Sequence, residues 1–426
     1  MKHPRLPAAA IVFVAVFVVA VFLALNYRAY DGYFQDDELD NISWTPHVSP
    51  RDYLAALATP LFSTANFRPA GHAYFGLMGN YFGLNFPPYM TPIFAFHILN
   101  GVLLFFLLRK LQIGQWHALG PVAFFLLSAA AFDAYWKPMY VFDLLCATFS
   151  LATLLTYISG RKLVALLFYW LAYKSKELAV MLPAVLFLYE YWLGERRYLK
   201  LIPFFLASLS FGLQGIFLNP NQDNDYSFRF GTKALAKTIP FYVERFWPFP
   251  LFFGLAWFKD RRIWLGLSAL VLVAVPLAFL PGRLYGAYLY LPLACATIAI
   301  AAASTHVKPQ WALAALLLWL PFNIRQQHRE LKAKLAFDDD AYPFVETVQQ
   351  WSAKHPEVKT FVYTGAPAVY HHWGVTAAWN LSHNTLGLRA LFLDWPEARQ
   401  AMSAGTVAFG VWDSKQHKLL ITTRTP

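Results

Sequence analysis

From its N-terminus to about residue 324 the chain alternates long apolar runs with short polar or basic breaks, and then its texture changes. Ala8 to Leu25 is continuously apolar behind the basic stretch Met1 to Arg5. At about 1.5 Å of rise per residue, a run of that length crosses the hydrocarbon core of a bilayer. No small-x-small cleavage pattern precedes Asn26-Tyr27-Arg28, so the segment is expected to be a retained first helix. Further apolar windows lie near 87–108, 116–134, 138–158, 162–173, 177–193, 198–218, 239–258, 263–281, 285–304 and 310–324. Together they predict about eleven spans, the shorter ones tilted or broken.

From Arg325 the periodicity predicts a helix over Ala341 to Lys354, strands over Lys359 to Tyr363 and near Ala390 to Leu393, and a closing pair over Thr406 to Trp412 and Lys418 to Thr423. The expected fold is therefore an all-α polytopic membrane protein carrying a small C-terminal α/β domain. Residues 1–324 form the transmembrane part, with a first external loop over 28–86, and residues 325–426 the soluble part.

Composition agrees: 58% of residues are hydrophobic, 18% aromatic and only 14% charged, well away from the soluble average. The net charge of +11 does not point to nucleic acid, because the basic residues fall in short clusters between apolar spans. Arg109-Lys110, Arg161-Lys162, Arg196-Arg197, Lys259 with Arg261-Arg262, and Lys308 fall on alternate connections, which the positive-inside rule places in the cytoplasm. The first loop and everything beyond about Ile324 are then expected outside. Cys146 and Cys295 sit in separate apolar stretches and read as small buried hydrophobes.

The chemistry gathers in that external set. Asp36-Asp37-Glu38-Leu39-Asp40 places four carboxylates in five positions beside a bilayer, either as a solvated acidic turn or as a functional cluster. Arg68, Lys137, Lys174, Lys176 and Arg283 stand at outer ends of predicted spans, where they either snorkel to headgroups or neutralise a lipid-borne phosphate. His371-His372 and His383 lack the i, i+4 spacing of a helical zinc site, so packing is the favoured reading there. Trp44, Trp136, Tyr140, Trp247 and Trp257 fit an interfacial belt better than a sugar platform.

Several stretches resemble the GT-C superfamily of integral membrane glycosyltransferases, in particular its protein O-mannosyltransferase and transmembrane-TPR O-mannosyltransferase branch. Tyr33 to Ile42 resembles that family's first external loop with its acidic pair, and Phe67-Arg68-Pro69 followed by Asn80 to Leu84 resembles the Arg-Pro and Asn-Tyr elements after it. Phe96-His97-Ile98-Leu99-Asn100 resembles Phe-His-x-x-Asn, and Lys176-Glu177 resembles the Lys-Glu before a later helix. Leu284-Tyr285 with Tyr288 to Pro292 resembles a distal Arg-Tyr-x-Tyr-x-Pro region. The chain departs from the pattern at Ala131-Phe132-Asp133, where the family often has His-Pro, and no TPR array follows, so the relatives' protein acceptor does not carry over.

The resemblance implies a polyprenyl-phosphate sugar donor, an acceptor hydroxyl on a glycan, lipid or protein, and inversion at the anomeric carbon. Transfer to a hydroxyl needs a carboxylate to take its proton and cations on the departing phosphate. Asp36 is the expected base, with Asp37 as the alternative. Arg68, Lys176 with Glu177, Arg283 and, less firmly, Lys137 are the phosphate candidates. Asp36, Asp37, Glu38 and Asp40 leave a divalent cation such as Mg or Mn open. The alternatives are a transporter or flippase of the lipid-linked sugar and a non-catalytic scaffold. A bacterial inner membrane with the site facing the periplasm or outside is the expected location.

Overall fold

The computed structural model describes residues 8–61, 67–217, 225, 227–245 and 259–425. In chain order, the helices of the first half are α1 (Ala8–Asn26), α2 (Asp36–Trp44), α3 (Pro50–Ala58), α4 (Pro69–Phe82), α5 (Pro87–Lys110), α6 (Gln115–Leu127), α7 (Phe132–Trp136), α8 (Val141–Ile158), α9 (Lys162–Ser175), α10 (Leu182–Trp192) and α11 (Ile202–Phe217). They continue as α12 (Thr232–Arg245), α13 (Arg261–Ala278), α14 (Tyr290–Ser304), α15 (Pro309–Asp338), α16 (Ala341–Lys354), α17 (His372–Ser382) and α18 (Pro396–Ala404). Four strands complete the chain: β1 (Thr360–Thr364), β2 (Arg389–Phe392), β3 (Val407–Asp413) and β4 (Lys418–Arg424). Two compact units result, one made of 1–27, 53–71 and 91–327, the other of 28–52, 72–90 and 328–426.

The first unit is helical and apolar. Among the described residues, five helical stretches are long and apolar enough to cross a membrane: Ala9–Asp31, Pro87–Lys110, Pro138–Ile158, Arg261–Ala278 and Gly286–Ser304. Gln115–Leu127 with Ala129–Trp136 forms a further pair bent by 49°. The expected span over 239–258 lies outside the described residues beyond Arg245.

A break at membrane depth is tolerated only if its freed backbone groups find partners, since no water is there to supply them. At the bend, Asn323 accepts from the Ala129 N–H at 2.7 Å and donates to the Leu127 carbonyl, to which Gln327 donates as well, at 2.7 Å. The helices elsewhere pack through small residues. A Cβ on Gly266 of α13 would come within 2.5 Å of the Ala299 backbone nitrogen on α14, so only glycine permits this approach.

A polar knot fastens the centre of the unit. Tyr290 shares its hydroxyl with His97 at 2.7 Å and with the Asn100 amide at 3.1 Å, and Asn100 also donates to the Leu144 carbonyl. Asn100 Oδ1 has no hydrogen-bond partner among the described residues, but the bonds that are made tie α5, α8 and α14 together in one register.

The second unit is built on a sheet of order β2-β1-β3-β4. Strand β1 pairs in parallel with β2 and β3, and β4 closes antiparallel on β3. Val362, Leu391, Ala398, Val407 and Phe409 form a core on one side, and Trp379 of α17 stacks on Phe361 at 5.0 Å. The strands and α16 form where the alternation of apolar and polar residues predicts them. Helices α17 and α18 occupy the intervals the pattern left unassigned, each supplying the crossover that a parallel pair requires.

Residues 28–52 belong to this unit. Asp338, at the end of α15, accepts from the Tyr33 N–H at 3.0 Å and from the Gln35 side chain at 2.9 Å. The Tyr370 hydroxyl donates to the Phe34 carbonyl at 3.0 Å, so the acidic segment is fastened from both sides.

Candidate functional site

The acidic run is a helix, α2, and not a solvated turn. Gln35 is extended at its N-cap, three carboxylates fill the first turn, and Glu38 at N3 accepts from the Gln35 N–H at 2.6 Å, half of a capping box. The helix macrodipole favours negative charge at this end. The helix also separates its acids, because successive side chains point about 100° apart. Glu38 is fully buried in its capping role.

Asp36 is buried and taken up by one residue. Its Oδ1 accepts from the His371 N–H at 2.8 Å, and its Oδ2 lies 2.5 Å from His371 Nδ1. His371 is the N-cap residue of α17, so the carboxylate lies over that helix's first turn. A Cβ on Gly374 would stand 2.1 Å from Asp36 Oδ1, and glycine there is what lets α2 and α17 close on each other. Burial pushes the Asp36 carboxyl up from its ordinary value, against the His371 bonds that pull it down.

Around this pair, the Trp373 indole N–H reaches Asp37 Oδ1 at 3.3 Å, and its ring stacks flat on His371, 4.5 Å between centroids and 3° between planes. Asp40 is pushed up to about 6, first by burial and then by Asp37. Among the described residues no three His, Cys, Asp or Glu side chains are grouped to hold a metal ion. His383 Nδ1 lies within hydrogen-bond distance of Ser382 Oγ and the Trp379 carbonyl, and its buried Nε2 has no partner among the described residues.

The first unit holds a cluster of different character. Lys176 spans both oxygens of Asp143 at 2.5 Å, and Arg68 Nε donates to Glu177 at 2.7 Å. Aromatic faces join the pairs. Lys176 stands 4.2 Å over Tyr288, Tyr288 meets Tyr285 edge-on at 5.7 Å, and Arg283 lies 4.7 Å over Tyr285. Arg68 also faces Phe142, the neighbour of Asp143. Three cations, Arg68, Lys176 and Arg283, thus gather with two carboxylates in partly desolvated surroundings, where an anion is bound more strongly than in water.

No protein-family model matches the chain, and no curated protein does. Among solved structures, ArnT from Cupriavidus metallidurans bound to undecaprenyl phosphate aligns with a TM-score of 0.59, over 96% of this chain and 97% of that one, at 12% identity.

The chain shares the fold of that structure. At that identity the likeness establishes the fold, a helical membrane body with a small sheet, and no more. The sequence-predicted residues fall into two groups. Arg68, Lys176, Glu177 and Arg283 come together in the first unit, while Asp36, Asp37, Glu38 and Asp40 lie along α2 in the second. Lys137 is buried beside the Trp136 ring, and Lys174 is tied to the Leu61 carbonyl at 3.0 Å. Trp247 and Trp257 lie outside the described residues.

Two residues were not foreseen. Asp143 carried a usable signal, a carboxylate at the start of an otherwise apolar span, where ionisable groups mark function. His371, weighed between metal binding and packing, gave no hint of Asp36, 335 residues away in sequence.

Proposed function

We propose that the protein is a glycosyltransferase that moves a hexose or pentose from a polyprenyl-phosphate donor to an acceptor hydroxyl, inverting the anomeric carbon. The observation that carries this reading is the fold, shared end to end with a protein solved with undecaprenyl phosphate bound, together with the sequence resemblance to GT-C glycosyltransferases. A lipid phosphate needs cations at headgroup depth, and the Arg68, Lys176 and Arg283 cluster supplies them. Glu177 and Asp143 hold those cations in place before the phosphate arrives. Base catalysis is assigned to Asp36, with Asp37 beside it.

The finer parts of the proposal rest on sequence. Kinship with the O-mannosyltransferase branch rests on the motifs from Tyr33 to Pro292, the count of about eleven spans on hydropathy, and a site on the periplasmic or outer face on the distribution of basic residues. The acceptor is a hydroxyl of a glycan, lipid or protein.

The test is transfer by the purified protein in nanodiscs. A panel of undecaprenyl-phosphate-linked radiolabelled hexoses and pentoses is offered with a membrane extract as acceptor. Wild type is expected to move label from at least one donor into the extract, and Asp36→Asn to lose at least about 100-fold of that rate while keeping its thermal midpoint. Movement of the donor across a vesicle membrane without transfer would replace the reading with that of a flippase.

A further inference from the structure

We propose that His371 is the atom-level proton acceptor of the reaction, with Asp36 as its positioning carboxylate. This rests on the glycosyltransferase reading above and changes which side chain meets the acceptor hydroxyl. The geometry points that way because Asp36 spends both carboxylate oxygens on His371, Oδ1 on the backbone N–H and Oδ2 on Nδ1. Its side chain is 12% exposed, against 64% for His371. The group that can reach a substrate is therefore the imidazole.

Three features prepare that imidazole. A carboxylate at Nδ1 selects the tautomer with its proton there, leaving the Nε2 lone pair bare. Nε2 has no hydrogen-bond partner among the described residues. Flat stacking on Trp373, itself hydrogen-bonded to Asp37, holds the ring in one plane. His371 also follows the loop that leaves the carboxyl end of β1, the central parallel strand, and α/β sheets present ligand-binding groups at such ends.

The step balances without a further reactant. The acceptor oxygen bonds to the anomeric carbon as its proton passes to His371 Nε2. The anomeric carbon–oxygen bond breaks, and its electron pair leaves with the polyprenyl phosphate. The imidazolium is stabilised by Asp36, as a carboxylate stabilises histidine elsewhere in base catalysis, and returns its proton to water. The titratable groups facing this pair are Asp37 and Asp40 on α2, Tyr363 on β1 and Tyr370 before α17.

Because the contact also joins α2 to α17, a structural role must be separable from a chemical one. His371→Asn does this: its amide keeps a donor near the Nδ1 position but cannot take up a proton. With whichever undecaprenyl-phosphate-linked sugar the wild type uses, H371N is expected to lose at least about 100-fold in kcat with donor KM within about twofold. Its residual activity loses the acid limb of the pH profile, and H371N/D36N is no worse than either single variant, as for groups acting as one unit. If H371N keeps activity within about threefold while D36N is inactive, the inference falls and Asp36 itself is the base. If D36N is also active, the assignment of base catalysis to this pair fails altogether. A readout that needs no substrate is the nitrogen NMR spectrum of histidine-labelled protein, with the His371 signal identified by its loss in H371N. A proton on Nδ1 in wild type, shifting toward Nε2 in D36N, supports the dyad, and a proton on Nε2 in wild type overturns it.

Discussion

The two charged clusters solve opposite problems. In the first unit the site carboxylates are paired with cations, Asp143 with Lys176 and Glu177 with Arg68. Along α2 the acids are met by neutral or weakly basic donors instead, a backbone N–H, an imidazole and an indole. Ion pairs hold charges in place, whereas burial among neutral donors raises the proton affinity of Asp36 and Asp40. The first arrangement suits an anion to be held, the second a proton to be taken.

The largest effect that would break this contrast is at Lys176. Lys176→Met leaves Asp143 buried and uncompensated, which is expected to cost about 3–5 kcal/mol of stability and to abolish transfer. Adding Asp143→Asn is expected to return most of the thermal midpoint without returning activity. If K176M/D143N transfers sugar normally, the pair serves the fold alone.

A middle-sized effect lies at Gly374. Gly374→Ala drives a methyl into Asp36 Oδ1, and is expected to cost about 1–3 kcal/mol and at least tenfold in transfer. Gly405→Ala, with open space around the new Cβ, is expected to stay within about 0.5 kcal/mol of wild type, read by thermal denaturation of both.

The smallest effect concerns pH. Asp40 stands near 6 in the folded protein, above its value of about 4 in an unfolded chain. Between those values the folded state binds more protons, so the Asp40 contribution to stability falls as pH rises from about 4 to 6 and is fully unfavourable above. Asp40→Asn removes that loss. Its midpoint relative to wild type is expected to be higher at pH 7 than at pH 4, and an equal difference at both values would show that Asp40 does not feel its burial.

How much of this was legible in the sequence follows from the range of each interaction. Period-two and helical patterns are local, so α16 and the four strands could be placed from Ala341 onward. The apolar runs likewise announced the membrane helices. Helix α17 was hidden because His371-His372-Trp373 offers no standard cap and its first turn is completed by Asp36, a residue from the other end of the chain. The bend after Leu127 was equally opaque, since what makes it tolerable is Asn323 and Gln327, about 200 residues later. Of the candidate site, Lys176-Glu177, Arg68 and the acids could be nominated by charge beside apolar spans, but their pairing could not. Asp143 and His371 became visible only as partners.

The central claim, that the first unit's charged cluster receives a lipid-borne phosphate, is tested most directly by binding. Undecaprenyl phosphate titrated into the purified protein in nanodiscs, followed through the thermal midpoint, is expected to stabilise wild type saturably. It should leave a variant carrying K176M, D143N and Arg283→Met unmoved. No saturable stabilisation of wild type, or equal stabilisation of the two proteins, would contradict the account.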